Sequence, residues 1–186
     1  MLKKLSPLPV KTIRPLHGPV LEDNLGDYIS LYDTWSRYAP ESEGIFIACA
    51  SIHGGTLKAA EKHADILRAK GAKKVVLSDL CRSDVAENVE DAFRYPTLIL
   101  AASSYDAGLF TPMYEFLHRL QIKGYSNRRI AIVENGSWAP SAARVMKEMV
   151  GTMKNIDLVE QVVTIRSRMK EADIPALESL ADAVLA

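Results

Sequence analysis

Apolar and polar positions alternate in blocks along the chain, and the blocks predict strands and helices in turn. Short apolar runs, typical of strands buried on both faces, cover residues 44–50, 74–80, 97–102, 129–134 and 158–165. Apolar residues at helical spacing predict the intervening helices over 57–70, 84–94, 112–122, 142–149 and 174–185. This alternation predicts an α/β fold with a mostly parallel sheet, helices on both faces and right-handed crossovers.

The turn after the first predicted strand has the composition of a phosphate-binding loop. Residues 48–57 read A-C-A-S-I-H-G-G-T-L, which places the hydroxyls of Ser51 and Thr56 and the flexible backbone of Gly54 and Gly55 at the start of a helix. The unpaired N–H groups and the positive dipole end of a helix favour an anion. The alternative interpretation is an ordinary strand-to-helix turn with a Ser or Thr cap.

The kind of phosphate is narrowed by the motifs that the sequence lacks. Neither the G-x-x-x-x-G-K-[ST] loop for nucleoside triphosphates nor the G-x-G-x-x-G fingerprint for dinucleotides occurs. A terminal monophosphate held by hydroxyls and amides, without a lysine, remains. S-I-H-G-G-T resembles the [ST]-x-x-G-x-T loop with which flavodoxins hold FMN. The predicted contacts are Ser51, Ile52, His53, Gly54, Gly55 and Thr56.

Two further loops follow strands that should end at the same edge of the sheet, where ligands bind in open α/β folds. Each loop is small and polar around one aromatic residue, Tyr105 or Trp138, that could stack on a flat ring such as the isoalloxazine of FMN. The alternative is that both aromatics simply cover the sheet. Asp106 and Glu134 would place negative charge near the ring and lower its potential. The predicted contacts are Ser103, Ser104, Tyr105, Asp106, Ala107, Gly108, Asn135, Gly136, Ser137 and Trp138.

Together these loops resemble those of the A-type flavoproteins, also called flavodiiron proteins. The family loops S-x-x-G-N-T, G-S-P-T-Y-x-x-G-L-F and Gly-Trp-Ser-Gly-Gly-Ala stand here as S-I-H-G-G-T, A-S-S-Y-D-A-G-L-F and G-S-W-A-P-S-A. Ser103-Ser104 replaces the usual Pro-Thr pair, and Pro140-Ser141 replaces two glycines. The resemblance implies that residues 44–186 form a flavodoxin-like three-layer sandwich that binds FMN, with a five-stranded parallel sheet in the order 2-1-3-4-5.

Residues 1–43 resemble the tail of the metallo-β-lactamase-like domain that precedes the flavodoxin domain in this family. They are expected to form a strand, an H-G-P loop and an amphipathic helix, and His17 matches an iron ligand of the family. The H-x-[ED]-x-D-H segment that supplies most of the other ligands is absent. We therefore expect a fragment whose diiron site exists only in the full-length parent. His63 and His118 are expected to be solvated or partly packed helix residues.

The resemblance also implies a role in electron transfer. In the family, the flavodoxin domain receives electrons from a rubredoxin or a flavin reductase and passes them to a diiron centre that reduces oxygen or nitric oxide, within a homodimer. This chain alone would be the electron-transfer module and carry no catalytic residue. Two alternatives remain: a flavodoxin-like module that has lost FMN and serves in docking or structure, and a quinone reductase, for which no NAD(P)H pocket is recognisable.

Composition adds limits on partners and location. The 186 residues carry 23 basic and 23 acidic side chains, so the chain has no net field that would attract nucleic acid or a membrane. No apolar stretch approaches the length of a membrane span. Cys49 and Cys81 lack the C-x-x-C spacing of a redox pair, and Cys49 is expected to be a small core residue. A cytoplasmic location is expected.

Overall fold

A computed structural model describes residues 8–186 and contains a twisted sheet at its centre. Its five parallel strands stand in the spatial order β2-β1-β3-β5-β6, which confirms the predicted order of parallel strands. The strands are Ile45–Ala50 (β1), Val75–Asp79 (β2), Thr97–Tyr105 (β3), Ser126–Asn135 (β5) and Lys154–Ile165 (β6).

A sixth, two-residue strand, Gly108–Leu109 (β4), was not expected from the sequence. It pairs antiparallel with the end of β3, which is therefore longer than predicted. The connecting residues Asp106 and Ala107 have φ angles of 47° and 55°. Positive φ at both central residues is the geometry of a tight hairpin turn, usually signalled by Asn-Gly or Asp-Gly. Asp-Ala gives no such signal, so the second loop is a hairpin that the sequence concealed.

Helices cover both faces of the sheet because alternate strand residues point to opposite sides. The helices are Leu25–Ser36 (α1), Gly55–Ala69 (α2), Val85–Arg94 (α3), Thr111–Ile122 (α4), Ala142–Val150 (α5) and Ile174–Leu185 (α6), the last preceded by the 3₁₀ turn Glu171–Asp173. One buried cluster joins Phe46, Leu98 and Ile130 to the helices α3, α4 and α5, while the other joins Ile47, Ile99 and Ala131 to α2 and α6.

The segment before β1 is attached loosely by comparison. The strand expected there is reduced to a single antiparallel bridge between Ile13 and Leu21, since the prolines at 9, 15 and 19 have no N–H to donate. Helix α1 contains no buried residue. Residues 1–7 of the expected metallo-β-lactamase-like tail lie outside the described residues.

Arg128 fastens the end of this segment to the sheet. Its side chain, 3% exposed, donates hydrogen bonds to the backbone carbonyls of Tyr38 at 2.5 Å, Phe93 at 2.5 Å and Tyr95 at 2.9 Å. A buried guanidinium is stable only where its donors are satisfied, and here backbone oxygens provide the partners. The chain therefore enters the fold at the edge where the parallel strands begin.

His63 differs from its sequence-based expectation. It lies on the sheet-facing side of α2 with 0% exposure, and neither ring nitrogen makes a hydrogen bond to the described residues. Burial lowers the pKa of His63 to about 4, an effect only partly offset by the nearby backbone of Leu177 on α6. His118, on α4, is exposed as expected. His63 is thus a neutral core residue of α2, close to the backbone of α6.

Candidate functional site

A cleft of about 360 Å³ opens at the edge of the sheet where the parallel strands end. This volume is within the usual range for small-molecule sites. The structure brings together the first predicted loop with parts of the second and third. The lining residues are Ser51, Ile52, His53, Gly54, Gly55, Thr56, Lys58, Ser103, Ser104, Asn135, Gly136, Ser137, Ser167 and Arg168.

The phosphate loop presents hydrogen-bonding groups that have no partner. The Ser51 hydroxyl oxygen is buried and makes no hydrogen bond within residues 8–186. The backbone N–H groups of Gly55, Thr56 and Leu57, at the start of α2, likewise find no acceptor among the described residues. Buried polar groups are normally satisfied, so an orphaned hydroxyl beside free helix amides indicates a position for an acceptor that the chain does not supply.

Two glycines shape this loop for different reasons. Gly54 has φ of 82°, a left-handed conformation that glycine adopts without steric cost. At Gly55 the reason is space, because an added Cβ would lie 2.6 Å from the carbonyl oxygen of Ser167 and 3.5 Å from Asn135 Nδ2. The backbone of the phosphate loop therefore touches the segment that follows β6.

The Thr56 hydroxyl is engaged within the fold. Thr56 is 1% exposed, and its Oγ1 lies 2.8 Å from Ser103 Oγ, a distance at which either hydroxyl can donate. This pair ties the start of α2 to the end of β3. A shared hydrogen bond between two hydroxyls leaves lone pairs and one proton for another partner, so both residues remain able to contact a bound group.

The second and third loops are joined to each other by Ser104. Its hydroxyl accepts hydrogen bonds from the backbone N–H groups of Ser141 at 2.8 Å and Ala142 at 3.1 Å, and so caps α5 from another strand. Gly136 is required here as well, since a Cβ would meet Pro140 Cα at 2.8 Å. Pro140 and Ser141 are thus in direct contact with Gly136 and Ser104 of the third and second loops.

The remaining predicted contacts stand outside the cleft. Tyr105, on the β3–β4 hairpin with Asp106, Ala107 and Gly108, is 47% exposed and packs its ring 5.9 Å from that of Phe110. Trp138 is 93% exposed. None of these residues lines the cleft. The two aromatics expected to flank a ring are therefore not brought together around it in this structure.

Glu134 does not face the cleft either. Its carboxylate accepts hydrogen bonds from the Ala143 backbone N–H and from the Thr164 hydroxyl, both at 2.9 Å. A carboxylate at the N-terminus of a helix is stabilised by the free amides and the helix dipole. Glu134 thus holds α5 against the sheet. Among the described residues no carboxylate lines the cleft, so the negative charge expected beside the ring is not found there.

Three lining residues were missed by sequence reasoning: Lys58, Ser167 and Arg168. Lys58 follows the loop by two positions, in the first turn of α2. Ser167 and Arg168 follow β6, whose carboxyl end lies at the same edge as the others. Ser167 accepts a hydrogen bond from Asn135 Nδ2 at 2.8 Å, and its hydroxyl lies 2.6 Å from that of Ser137. The rule that ligand residues follow the carboxyl ends of parallel strands, applied to the last strand, could have predicted Ser167 and Arg168.

A second cleft of about 590 Å³ lies across the phosphate loop and shares residues 51–54 with the first. Its charged residues, Asp79 and Arg82, form an ion pair at 3.4 Å. Cys81 lines this second cleft as an exposed free thiol, whereas Cys49 is buried in β1 as expected.

The metal expectation concerns His17, which is exposed. Across residues 8–186, no group of three His, Cys, Asp or Glu side chains is placed to hold a metal ion. Within the same residues, no helix is both long and apolar enough to cross a membrane.

Solved structures with this fold include flavodiiron proteins. Rubredoxin oxygen:oxidoreductase from the anaerobe Desulfovibrio gigas matches with a TM-score of 0.87 and 18% identity, over 98% of this chain and 46% of that one. The flavodiiron protein from Giardia intestinalis matches with a TM-score of 0.84 and 19% identity, over 99% and 46%. The chain thus spans about half the length of these proteins.

A flavodoxin shares the fold at its own full length. Oxidised flavodoxin 1 from Bacillus cereus matches with a TM-score of 0.66 and 16% identity, over 77% of this chain and 97% of that one. No protein-family model and no curated protein matches the sequence. At these identities the likeness establishes the fold. The chain has the flavodoxin-like architecture that its loops and strand pattern predicted.

Proposed function

We propose that this chain binds FMN in the cleft at the carboxyl edge of the sheet and serves as the electron-transfer domain of a larger oxidoreductase of the flavodiiron type. The observation that carries the proposal is the buried, unpartnered hydroxyl of Ser51 beside the free amides that begin α2. A terminal phosphate supplies the acceptor oxygens that these donors lack.

The residues present fit a singly phosphorylated cofactor. Ser51, Thr56 and the amides of His53, Gly54 and Gly55 would hold its phosphate. The polar groups of residues 103–104 and 135–137 would face the polar edge of its ring. When bound, FMN supplies one- and two-electron chemistry, whereas the protein supplies position and hydrogen bonds.

The role in a parent protein rests on the similarity to flavodiiron structures over nearly the whole chain. A rubredoxin or a flavin reductase is the proposed electron donor, and a homodimer the proposed assembly. The diiron centre would belong to the parent, with His17 as one ligand. In this scheme residues 44–186 are the FMN domain and residues 1–43 the tail of the domain before it.

A second candidate is a flavodoxin-like docking module without FMN. The observation in its favour is that Tyr105 and Trp138 lie outside the cleft, at 47% and 93% exposure. A docking module would present these aromatics to a protein partner, since exposed Trp and Tyr are enriched at interfaces.

Titration of the full chain with FMN separates the two candidates. We expect quenched flavin fluorescence and saturable binding by wild-type protein. Ser51→Ala should weaken FMN binding about tenfold, because charge-assisted hydrogen bonds contribute about 1.5–3 kcal/mol. The same variant should leave the free energy of unfolding of the FMN-free protein unchanged or slightly higher, since the hydroxyl it removes is buried without a partner.

Ser30→Ala, at an exposed position of α1, is the matched control and should change neither quantity. Failure of wild-type protein to bind FMN would favour the docking module. Equal FMN affinity in wild type and Ser51→Ala would remove Ser51 from the site.

A further inference from the structure

We infer that the cleft selects a phosphate dianion through a pair of cations, Lys58 and Arg168, and that Arg168 is delivered by a fourth binding loop, residues 166–168. The flavin part of this inference rests on the proposed function. The loop motifs predict a phosphate held by hydroxyls and amides without a lysine, so the two cations are contacts that the motifs did not predict.

The first support is the charge of the cleft. Its lining contains Lys58 and Arg168 but no carboxylate. Neither cation forms an ion pair within residues 8–186. In the second cleft, by contrast, Arg82 is paired with Asp79. Two uncompensated cations beside an orphaned hydroxyl create a region of positive potential in a concave site, where field lines are focused.

The second support is the chemistry of the phosphate. A phosphomonoester carries about 1.5 to 2 negative charges at neutral pH, because its second pKa is near 6. The N-terminus of a helix offers only about half a positive charge. Helix α2 alone would leave most of the phosphate charge unbalanced, whereas Lys58 and Arg168 together with α2 balance it.

The third support is how firmly the fourth loop is built into the site. The Ser167 carbonyl accepts a hydrogen bond from Asn135 Nδ2 at 2.8 Å and lies 2.6 Å from where a Gly55 Cβ would be. The Ser167 hydroxyl pairs with Ser137 at 2.6 Å. Ser167 also has φ of 63°, an uncommon conformation for serine that the surrounding contacts must maintain. The loop thus links the first and third loops and fixes the base of Arg168.

The two arginines of the fourth loop have different partners. Arg166 Nη1 donates to the backbone carbonyls of Trp138 at 3.4 Å and Ser137 at 3.5 Å, and so braces the third loop. Arg168 makes no hydrogen bond of its own side chain within the described residues and lines the cleft. Arg168 is therefore the residue of this loop that is available to a ligand.

The affinities for FMN and for riboflavin, which has the same ring but no phosphate, are compared to isolate the contribution of Lys58 and Arg168 to phosphate binding. Lys58→Gln and Arg168→Gln should each weaken FMN binding about fivefold, the upper end for exposed ion pairs, and the double variant about twentyfold. Riboflavin affinity should stay the same in all of them. Raising the salt from about 0.05 M to about 0.5 M should weaken FMN binding to wild type more than to the double variant, because salt screens exposed charges.

Lys147→Gln, on the exposed side of α5, is the charge-matched control and should leave both affinities unchanged. A fall in FMN and riboflavin affinity together would show that the fourth loop is only structural and would overturn the inference. FMN affinity unchanged in the double variant would overturn it as well.

A titration with inorganic phosphate separates this inference from the proposed function. Binding is detected by shifts of the NMR amide resonances of Gly54 and Gly55. Wild-type protein that binds phosphate but not FMN would refute the flavin proposal, and loss of phosphate binding in the double variant would still support the cation pair. Wild-type protein that binds FMN and riboflavin equally would overturn the cation pair alone. Wild-type protein that binds none of the three would overturn both.

Discussion

The two ends of the proposed FMN site differ in how far the fold prepares them. At the phosphate end, Ser51 offers a buried hydroxyl without a partner, and Gly55 and Ser167 are in fixed backbone contact. At the ring end, Tyr105 and Trp138 stand on the surface at 47% and 93% exposure. The phosphate end is preorganised by neighbouring strands, whereas the ring end depends on a half-buried tyrosine and an almost fully exposed tryptophan.

The difference teaches where affinity should arise. Groups that the fold already holds lose little conformational entropy when a ligand binds, whereas an exposed tryptophan must be immobilised first. We therefore expect the phosphate end to contribute most of the binding free energy.

Acid should lower the free energy of unfolding through His63, a buried residue of α2, the helix that begins at the phosphate loop. The pKa of His63 is about 4 in the folded state and about 6.5 in an unfolded chain. Above about pH 6.5 the imidazole is neutral in both the folded and the unfolded state, and His63 does not lower the free energy of unfolding. As the pH falls from about 6.5 to about 4, only the unfolded chain takes up this proton, so the free energy of unfolding drops, by up to about 3 kcal/mol. Urea unfolding of wild type and His63→Leu across this range measures the effect.

His63→Leu should remove this part of the pH dependence, because leucine has no proton to bind. His118→Leu, at an exposed position on α4, should retain it. Identical acid profiles for wild type and His63→Leu would show that the buried imidazole does not control the acid stability of α2.

Gly55→Ala should break the contact between the first and fourth loops. The new Cβ would lie 2.6 Å from the Ser167 carbonyl oxygen, so one backbone must move. Overpacking of this kind typically costs about 1–3 kcal/mol. We expect the free energy of unfolding to fall by about 2 kcal/mol and FMN binding to weaken about thirtyfold. Thermal unfolding and FMN titration measure the two effects.

Gly26→Ala is the control, since an added Cβ there meets no atom within 4 Å. It should raise the free energy of unfolding by about 0.5–1 kcal/mol, as Gly-to-Ala changes do in helices, and leave FMN affinity unchanged. If Gly55→Ala bound FMN as tightly as wild type, the phosphate end would not be preorganised, and its contrast with the ring end would be wrong.

At the ring end the expected effects are smallest. Tyr105→Ala and Trp138→Ala should each weaken FMN binding by about fivefold at most, the value of a single aromatic contact. Trp138→Ala should change the free energy of unfolding by no more than about 0.5 kcal/mol, because the side chain is 93% exposed. Tyr105→Ala should lower it by up to about 1 kcal/mol, because the ring is half-buried against Phe110.

Fluorescence sharpens this prediction because the chain has two tryptophans, Trp35 and Trp138. In a Trp35→Phe background, saturating FMN should quench Trp138 emission if its ring approaches the flavin. Full emission at saturation would place Trp138 outside the site and leave the ring end to other residues.

The sheet could be predicted from the sequence because its central strands β1, β3 and β5 contain continuous apolar runs, a pattern that follows from burial on both faces, whereas the outer strands β2 and β6 carry more polar residues. All of β1 is indeed buried. The short β4 could not, because its two residues give no period and its turn, Asp106-Ala107, lacks the glycine that usually signals one. Local chemistry thus predicted the long elements and missed the one whose turn is unusual.

The site was predicted in part for a similar reason. Residues 51–56 carry their chemistry in one continuous segment, so composition and spacing revealed them. Ser167 reaches the cleft through its contacts with Asn135 and Gly55, which only the folded chain brings near, and Arg168 is its neighbour in the chain. His63 did leave a signal, since it shares a helical stripe with Ala60 and Leu67, both buried.

The buried guanidinium of Arg128 determines where the leading segment, residues 8–44, is attached to the sheet. Arg128 binds the end of the leading segment at one margin of the sheet, while Asn135, seven residues further along the same strand, lies at the cleft. At a rise of about 3.3 Å per residue, the two points are about 23 Å apart. The attachment of the leading segment and the proposed cofactor site thus lie at opposite margins of the sheet, so a bound cofactor would exchange without disturbing the hydrogen bonds of Arg128.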